Sequence, residues 1–131
     1  MQNKMLEIAR KLNLEKNIDI TANGDLELNI ALLKTDGASI NVNATIDGEF
    51  LNTEVAGNEI GNDNASAMEF YFDINNFFMR NVGNVSFHSS LNFAASAVEI
   101  HLDNEEFIVQ IIEKINDIFN GYKDGIEREL A

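Results

Sequence analysis

Apolar residues recur along the chain with two different periods, and the order of these periods predicts the secondary structure. Residues 2–13 have apolar side chains at intervals of three and four, which is typical of an amphipathic helix. From Ile18 onwards apolar residues instead occupy every second position. Three turn signals interrupt this run: Asn23-Gly24, Asp36-Gly37 and Asp47-Gly48. We therefore predict an antiparallel meander over residues 17–55, apolar on one face and rich in asparagine on the other.

Paired strands must place their apolar side chains on the same face of the sheet, and this requirement selects the length of each loop. A three-residue loop at the first turn places Ile20 opposite Leu26, whereas a two-residue loop would place Ile20 opposite Glu27. By the same test the third turn is a two-residue loop, which places Ala44 opposite Leu51. The predicted loops are residues 22–24, 35–37 and 47–48.

The stretch SAMEFYFDINNFFMRNVG alternates like a strand at first, but it also has apolar residues at helical spacing. Ser66 followed by Glu69 forms a capping box, the signal for a helix start. Arg80 and Gly83 mark a helix end. These signals favour a helix over residues 67–81.

This helix has too much apolar surface for one sheet to cover. At 100° per residue its apolar side chains occupy about 220° of the circumference, in two arcs, and a sheet covers a single stripe. The same helix of a second copy could cover the rest, since a two-fold contact needs only one self-complementary patch. Alternatively, the loop at residues 57–66 or the terminal helix folds over it. The predicted dimer interface comprises Met68, Phe70, Phe72, Ile74, Phe77, Phe78 and Met79.

Two more strands and a closing helix are predicted after this segment. Val85 and Phe87 lie in the first strand, and alternate apolar residues between positions 94 and 102 form the second. Asp103 is a good N-cap for the last helix, which ends at Asn120-Gly121 and is followed by a short polar tail or a further helical turn. The predicted fold class is α+β in the order α-β-β-β-α-β-β-α, with a twisted antiparallel sheet packed against helices and residues 1–131 in one domain.

Composition and charge add two expectations. The chain has no cysteine, no signal-peptide pattern and no apolar run near the ~20 residues of a membrane span, so we expect a soluble cytoplasmic protein. It has 9 basic and 22 acidic residues and a net charge of −13, and residues 35–113 contain thirteen carboxylates but one basic residue, Arg80. This field disfavours nucleic acid and membranes as partners and favours either solubility alone or a basic partner.

Residues that could carry catalytic or metal chemistry do not form a recognisable pattern. His88 and His101 fall on neighbouring predicted strands without a third ligand, and Asp63 lies in a loop without the ligand spacing of a calcium site. Helix capping explains Glu105 and Glu106, and there is no nucleophile motif. We therefore expect no enzymatic activity, no metal, no cofactor and no small-molecule substrate.

The element order and two segments resemble the class I type III secretion chaperones, the CesT and SycE kind of the Tir chaperone family. INNFFMRNVGNVSFHSSLNFAASAVEIHLDNEEFIVQIIEKINDIF is similar to the family's aromatic helix, glycine turn, two strands, acidic cap and terminal helix, and LEIARKLNL is similar to its opening helix. The chain departs from the family in having Gly83 where a glycine pair is common, in lacking tryptophan in the terminal helix, and in its long loop at residues 57–66. The resemblance implies a homodimer that binds the N-terminal segment of a secreted effector in extended form and keeps it secretion-competent.

An extended effector segment needs an exposed strand edge and apolar contacts. Apolar side chains on the polar face of the predicted sheet and along the first helix are the candidates for such contacts. Alternatively, they are isolated exposed side chains of the kind that is common on protein surfaces. The predicted effector-binding residues are Leu6, Leu14, Ala31, Leu33 and Phe50.

Two functions of other classes remain open. One is an acidic inhibitor that mimics nucleic acid and binds a basic nucleic-acid-binding protein. The other is a small-ligand pocket between the sheet and the terminal helix, which no group of polar residues supports. Salt distinguishes the inhibitor from a chaperone, because salt screens carboxylate contacts and largely spares apolar ones.

Overall fold

The computed structural model describes residues 4–81, 84–102 and 105–131, so the predicted helix signals at Gly83 and Asp103 lie outside the described residues. The elements are α1 (Lys4–Lys16), β1 (Ile20–Asn23), β2 (Glu27–Lys34), β3 (Ser39–Asp47), β4 (Phe50–Asn58), α2 (Ala65–Asn81), β5 (Val85–Ser89), β6 (Phe93–His101), α3 (Glu105–Asn120) and α4 (Lys123–Leu130). The α+β class is confirmed. The predicted order lists three strands before α2, whereas the structure has four, which the three predicted turns separate. In the tail, the predicted further helical turn is the eight-residue helix α4.

The six strands of the described ranges form an antiparallel sheet in the order β1-β2-β3-β4-β6-β5. The chain leaves β4 through α2 and returns through β5 to β6, which pairs with β4, so β1 and β5 are the two edge strands. One face is covered by helices and buries Leu51, Val55 and Val98. The opposite face is open and carries polar side chains such as Asn43 and Asn52, as the alternation predicts.

The helices and the covered face of the sheet share a hydrophobic core. α2 contributes the completely buried rings of Phe70, Tyr71 and Phe78, and Phe70 packs edge-on against Phe119 of α3 with ring centroids 5.4 Å apart. The Tyr71 hydroxyl donates a hydrogen bond to the carbonyl oxygen of Ile60 over 2.9 Å. Burial of each such ring stabilises the folded state by roughly 1.5–3 kcal/mol, whereas a hydrogen bond contributes about 1 kcal/mol. Apolar burial is therefore the main force that holds α2 on the sheet.

The β1–β2 loop has the predicted three residues but begins later, at Gly24, so that Ile20 opposes Ile30 rather than Leu26. Gly24 occupies the first position of the loop, because that position has a φ of +70°, which glycine adopts without strain. The register differs from the predicted one by four residues, an even number, so Ile20 keeps its predicted face. Leu26, predicted to lie in a strand, is instead 54% exposed in the loop.

The β3–β4 loop differs from the prediction in the same direction. It has the predicted length of two residues, but Gly48 and Glu49 form it, so Ala44 opposes Thr53 rather than Leu51. Gly48 has a φ of +61°, so the left-handed position is again the first of the loop.

A β-bulge corrects the prediction for the end of β2. The predicted register holds where Leu28 opposes Ala44, but the pairing is irregular between Ala31 and Leu33, and Leu33 then opposes Ile40. Because a bulge adds one residue to its strand, the side chains beyond it point to the other face. Leu33, predicted on the polar face, therefore lies in the core with 6% of its surface exposed.

The predicted middle helix is confirmed, but Asn64 caps it rather than the predicted pair Ser66 and Glu69. The Asn64 side-chain oxygen accepts the N–H of Ala67 over 2.9 Å, and its amide nitrogen donates to the carbonyl oxygen of Ile126 in α4 over 3.1 Å. Asn64 is buried, so both hydrogen bonds are shielded from water. The cap of α2 is therefore also an attachment point for α4.

Two further N–H groups at the start of α2 are bound by α4. Glu129 accepts the N–H of Ala65 over 2.7 Å and that of Ser66 over 3.2 Å, and it also accepts the Ser66 hydroxyl. These hydrogen bonds, above all the one from the Ser66 side chain, lower the pKa of Glu129. The Tyr122 hydroxyl donates to Asp73 of α2, and this hydrogen bond raises the pKa of Tyr122 to about 12.

Replacing Asn64 by alanine removes the cap of α2 and leaves the carbonyl of Ile126 without its donor. We expect Asn64→Ala to lower the free energy of unfolding by about 2 kcal/mol, because a lost cap and an unpaired buried group each cost ~1–2 kcal/mol. Urea denaturation followed by circular dichroism measures this change. The control is Asn62→Ala, an exposed residue of the same loop, which should change stability by less than about 0.5 kcal/mol. Equal urea midpoints for the two variants would contradict the cap assignment.

The Glu129 contact should make stability depend on pH. Because folding lowers the pKa of Glu129, its charged form stabilises the fold above the ordinary value of 4.5, and this contribution is lost as the pH falls through the lowered value. We expect the stability advantage of the unmodified chain over Glu129→Gln to be full at neutral pH and to shrink below pH 4.5. Thermal unfolding at a series of pH values measures it, with Glu127→Gln on the same helix as the control. A difference that does not change with pH would count against the contact.

Candidate functional site

α1 and β1 lie side by side at one edge of the sheet. α1 buries Met5 and Leu12 in the core, and the chain reverses direction after α1 at Asn17, which has a φ of 53°. Asparagine tolerates this left-handed conformation better than most residues. The Asn13 side-chain amide donates to the carbonyl oxygen of Ile18 over 3.2 Å and holds the reversal. The edge strand β1 is thereby fixed along the side of α1.

A groove of about 530 Å³ lies between α1 and β1, and we call it the α1–β1 groove. Leu6, Arg10 and Leu14 line it from α1, and Ile20 and Ala22 line it from β1. Leu14 is 83% exposed, so the rim presents an apolar side chain to solvent. β1 is the first strand in the sheet order, and within the described residues no strand pairs with its outer edge. Among the residues that the structure describes, the groove therefore combines apolar walls with the main-chain N–H and C=O groups of an edge strand.

Two of the five predicted effector-binding residues come together in this groove. Leu6 and Leu14 are eight residues apart on one side of α1, and both line it. Arg10 was not among the predicted residues, although it lies four residues from both Leu6 and Leu14. Residues four apart lie on the same face of a helix, so this spacing could have identified Arg10. Ile20 and Ala22 were also missed, because the predicted register did not show which strand forms the edge.

The other three predicted residues lie elsewhere. Ala31 is half-buried in β2 opposite Asn41, and Leu33 is in the core. Phe50 is exposed at the start of β4, where its ring contacts that of His101 edge-on with centroids 5.8 Å apart. These three side chains do not line the α1–β1 groove.

The predicted dimer interface on α2 is divided between two environments. Phe70, Ile74 and Phe78 are completely buried because they lie on the arc of α2 that faces its own sheet and α3. They cannot contact a second copy in this fold, so their assignment to the interface is wrong. Phe77 is half-buried and packs against the core.

The remaining predicted interface residues form an apolar stripe on α2, in which Met68 is half-buried and Phe72 and Met79 are exposed. Met68, Phe72 and Met79 lie within about 40° of one another around α2. Phe72 is 51% exposed and Met79 is 60% exposed. The ring of Phe72 contacts that of Phe87 in β5 at 5.8 Å, and Val85 is half-buried on the same strand. We call these five residues the α2–β5 patch.

The open face of the sheet carries a network of amides around one carboxylate. Glu27 accepts hydrogen bonds from the side-chain amides of Asn23 over 2.7 Å and Asn43 over 2.9 Å, and Asn43 also donates to Asn29 over 2.9 Å. The hydrogen bond from Asn43, followed by that from Asn23, lowers the pKa of Glu27. These side chains bind one another and connect β1, β2 and β3, so the network supports the sheet.

The two histidines do not meet. His88 opposes Ala95, whereas His101 lies six residues further along β6, a separation of about 20 Å along the strand. The His101 Nε2 atom is 4.0 Å from a carboxylate oxygen of Glu49, and the His88 ring stacks on Phe93 with centroids 5.5 Å apart. Within the described ranges, no group of three or more His, Cys, Asp or Glu residues is placed to hold a metal ion.

Comparisons with known proteins find no match to this chain among protein-family models, curated proteins or solved structures. In the part of the chain that the structure describes, no helix is both long and apolar enough to cross a membrane. The functional interpretation therefore depends on the α1–β1 groove, the α2–β5 patch and the charge distribution.

Proposed function

We propose that the protein is a non-enzymatic, cytoplasmic chaperone of the class I type III secretion kind. As a homodimer, it holds the N-terminal segment of a secreted effector in extended form and keeps that segment soluble. The observation that carries the proposal is the α1–β1 groove beside the outer edge of β1, with which no described strand pairs. The resemblance of the sequence to that family supports the same function, mainly through its two quoted segments, since the observed order has one strand more before α2 and a fourth helix.

An extended segment could bind this groove by adding a strand to the sheet. The outer edge of β1 offers N–H and C=O groups to the segment's main chain, which gives affinity without demanding a particular sequence. Alternate side chains of the segment would then contact Leu6 and Leu14 on α1. This geometry selects an extended, partly apolar segment.

The energetics favour a partner segment that is longer than the groove. Burying two or three side chains contributes roughly 1.5–3 kcal/mol each, while ordering the residues that pair with the four residues of β1 costs ~1–2 kcal/mol per residue. These amounts are similar, so the groove alone would bind weakly. A second groove on a second copy would raise the affinity through a high effective concentration.

The α2–β5 patch supports the homodimer. β5 has the sequence VSFHS, without the lysine, carboxylate or proline that usually protects an edge strand from pairing. The five residues of the patch are apolar, so a contact confined to them places no carboxylate of one copy directly against a carboxylate of the other. A two-fold axis beside β5 would pair the two β5 edges and bury Phe72 and Met79 against a second copy.

Changing Phe72 tests the homodimer. At micromolar concentration we expect sedimentation to give twice the chain mass of 14.6 kDa for the unmodified protein and the mass of one chain for Phe72→Asp, because the change buries a carboxylate in an apolar contact. Leu26→Asp is the control, since Leu26 is similarly exposed but lies far from α2 in the β1–β2 loop. A monomeric unmodified protein, or a dimeric Phe72→Asp variant, would rule out this interface.

Changing Leu14 tests peptide binding. The probe is a library of flexible peptides of about 20 residues displayed on phage and selected on the unmodified protein, long enough to exceed the groove. We expect the selected peptides to bind Leu14→Asp roughly tenfold more weakly, and Leu26→Asp as well as the unmodified protein. Binding should also slow the hydrogen exchange of the β1 amides. In the native host, Leu14→Asp should fail to restore secretion of the bound partner.

Failure of the selection, or peptides that bind Leu14→Asp and the unmodified protein equally, would reject the α1–β1 groove as the binding site. Because Leu14 is exposed, the variant should fold, and circular dichroism checks this.

One observation favours a second candidate, the acidic inhibitor that mimics nucleic acid. The open face carries Glu27, Glu54 and Glu99, and Arg80 is the only basic residue among residues 35–113. Binding through these carboxylates would be lost as salt rises, whereas binding in the α1–β1 groove would largely persist. A salt series with the selected peptides therefore separates the two functions.

A further inference from the structure

A second cavity, of about 510 Å³, lies where α1, β2 and α3 end and where β1 and α4 begin. Its lining contains three lysines that come from distant parts of the sequence: Lys16, Lys34 and Lys123. The other polar side chains of the lining are three asparagines and one carboxylate: Asn17, Asn116, Asn120 and Asp19. The cavity is separate from the α1–β1 groove and from the α2–β5 patch.

The charge of this cavity is opposite to that of the protein. The chain has nine basic residues and a net charge of −13, yet three of the nine line this cavity. Asp19 is the carboxylate in the lining, so three positive charges and one negative charge give a formal charge of +2. None of the three lysines forms an ion pair with a carboxylate in the described residues. Their charges are therefore available to a ligand.

Helix electrostatics accounts for one of the three lysines. Lys16 lies in the last turn of α1, where the helix dipole favours a cation. Lys123 is the first residue of α4, where the same dipole disfavours a cation, and Lys34 ends a strand. Local stability therefore does not explain why Lys34 and Lys123 face the same cavity as Lys16.

We infer that this cavity binds a small oxyanion, either a phosphate or a carboxylate group. Lysine ammonium groups and asparagine amides are hydrogen-bond donors that suit such oxygens. The first residue of α4, Lys123, lines the cavity, and the N-cap residue Tyr122 makes no side-chain cap hydrogen bond. Asp124, the acidic residue of this first turn, does not line the cavity. The partial positive charge of this helix end adds to that of the lysines. The site goes beyond the proposed function and does not depend on it.

Titration with sodium phosphate and, separately, with sodium acetate tests the site, with sodium chloride holding the ionic strength constant. Nuclear magnetic resonance follows the backbone amides of Lys16, Lys34 and Lys123. We expect saturable shifts with at least one of the two anions. Lys34→Gln and Lys123→Gln should each weaken that binding roughly tenfold. Lys11→Gln is the control, because this substitution removes the same charge at a different place. Lys11 is exposed on α1 and lies outside this cavity.

The outcomes separate the two sources of the oxyanion. Saturation by phosphate alone identifies a phosphate site, saturation by acetate alone identifies a carboxylate site, and saturation by both identifies a site for either group. Absence of saturation with both anions overturns the inference. Equal weakening by Lys11→Gln also overturns it, because the effect would then reflect overall charge. The titration contains no peptide, so its result is independent of the proposed chaperone function.

Discussion

The close approach of α2 to the sheet is the constraint on which the surfaces of this protein depend, and it requires glycine at position 57. A Cβ atom at Gly57 would lie 1.8 Å from the Tyr71 hydroxyl oxygen and 2.7 Å from the carbonyl oxygen of Ile60. The absence of a side chain lets the Tyr71 ring enter the core and donate to Ile60, and this burial raises the pKa of Tyr71. Once Tyr71 faces inwards, the rotation of α2 is fixed, and helix geometry places Phe72 and Met79 on the outside. The apolar patch above β5 is therefore a consequence of how α2 is seated.

The period of the apolar residues predicts the elements and their faces but not the points where the chain turns. The strand and helix periods identified the meander and α2, because burial of one face or stripe dominates local structure. The starts of the β1–β2 and β3–β4 loops depend on which position needs a left-handed glycine, and this shifted the predicted partners of Ile20 and Ala44. Two residues near the start of α2, Asn64 and Ser66, could each act as an N-cap. The choice of Asn64 depends on α4, which lies some sixty residues further along the chain.

The candidate site was predictable only where its residues share one element. Leu6 and Leu14 lie on one helix, so periodicity alone places them on the same side. Leu33 was misplaced because a single bulge in β2 reverses the facing of every residue beyond it, and no local signal marks that bulge. The three lysines of the second cavity come from α1, β2 and α4, and only the folded chain brings them together.

The distribution of charge divides the surface into regions suited to different contacts. The open face carries carboxylates, the α2–β5 patch carries none, and the second cavity has a formal charge of +2. A contact between two copies must avoid the carboxylates, because repulsion between two chains of −13 grows as salt is lowered, while apolar burial depends little on salt. Anion binding in the second cavity would depend on salt in the opposite way, because lower salt strengthens the attraction between the lysines and an anion. For the proposed homodimer and the inferred anion site, low salt should therefore weaken association through the patch and strengthen anion binding, so that salt separates the two surfaces.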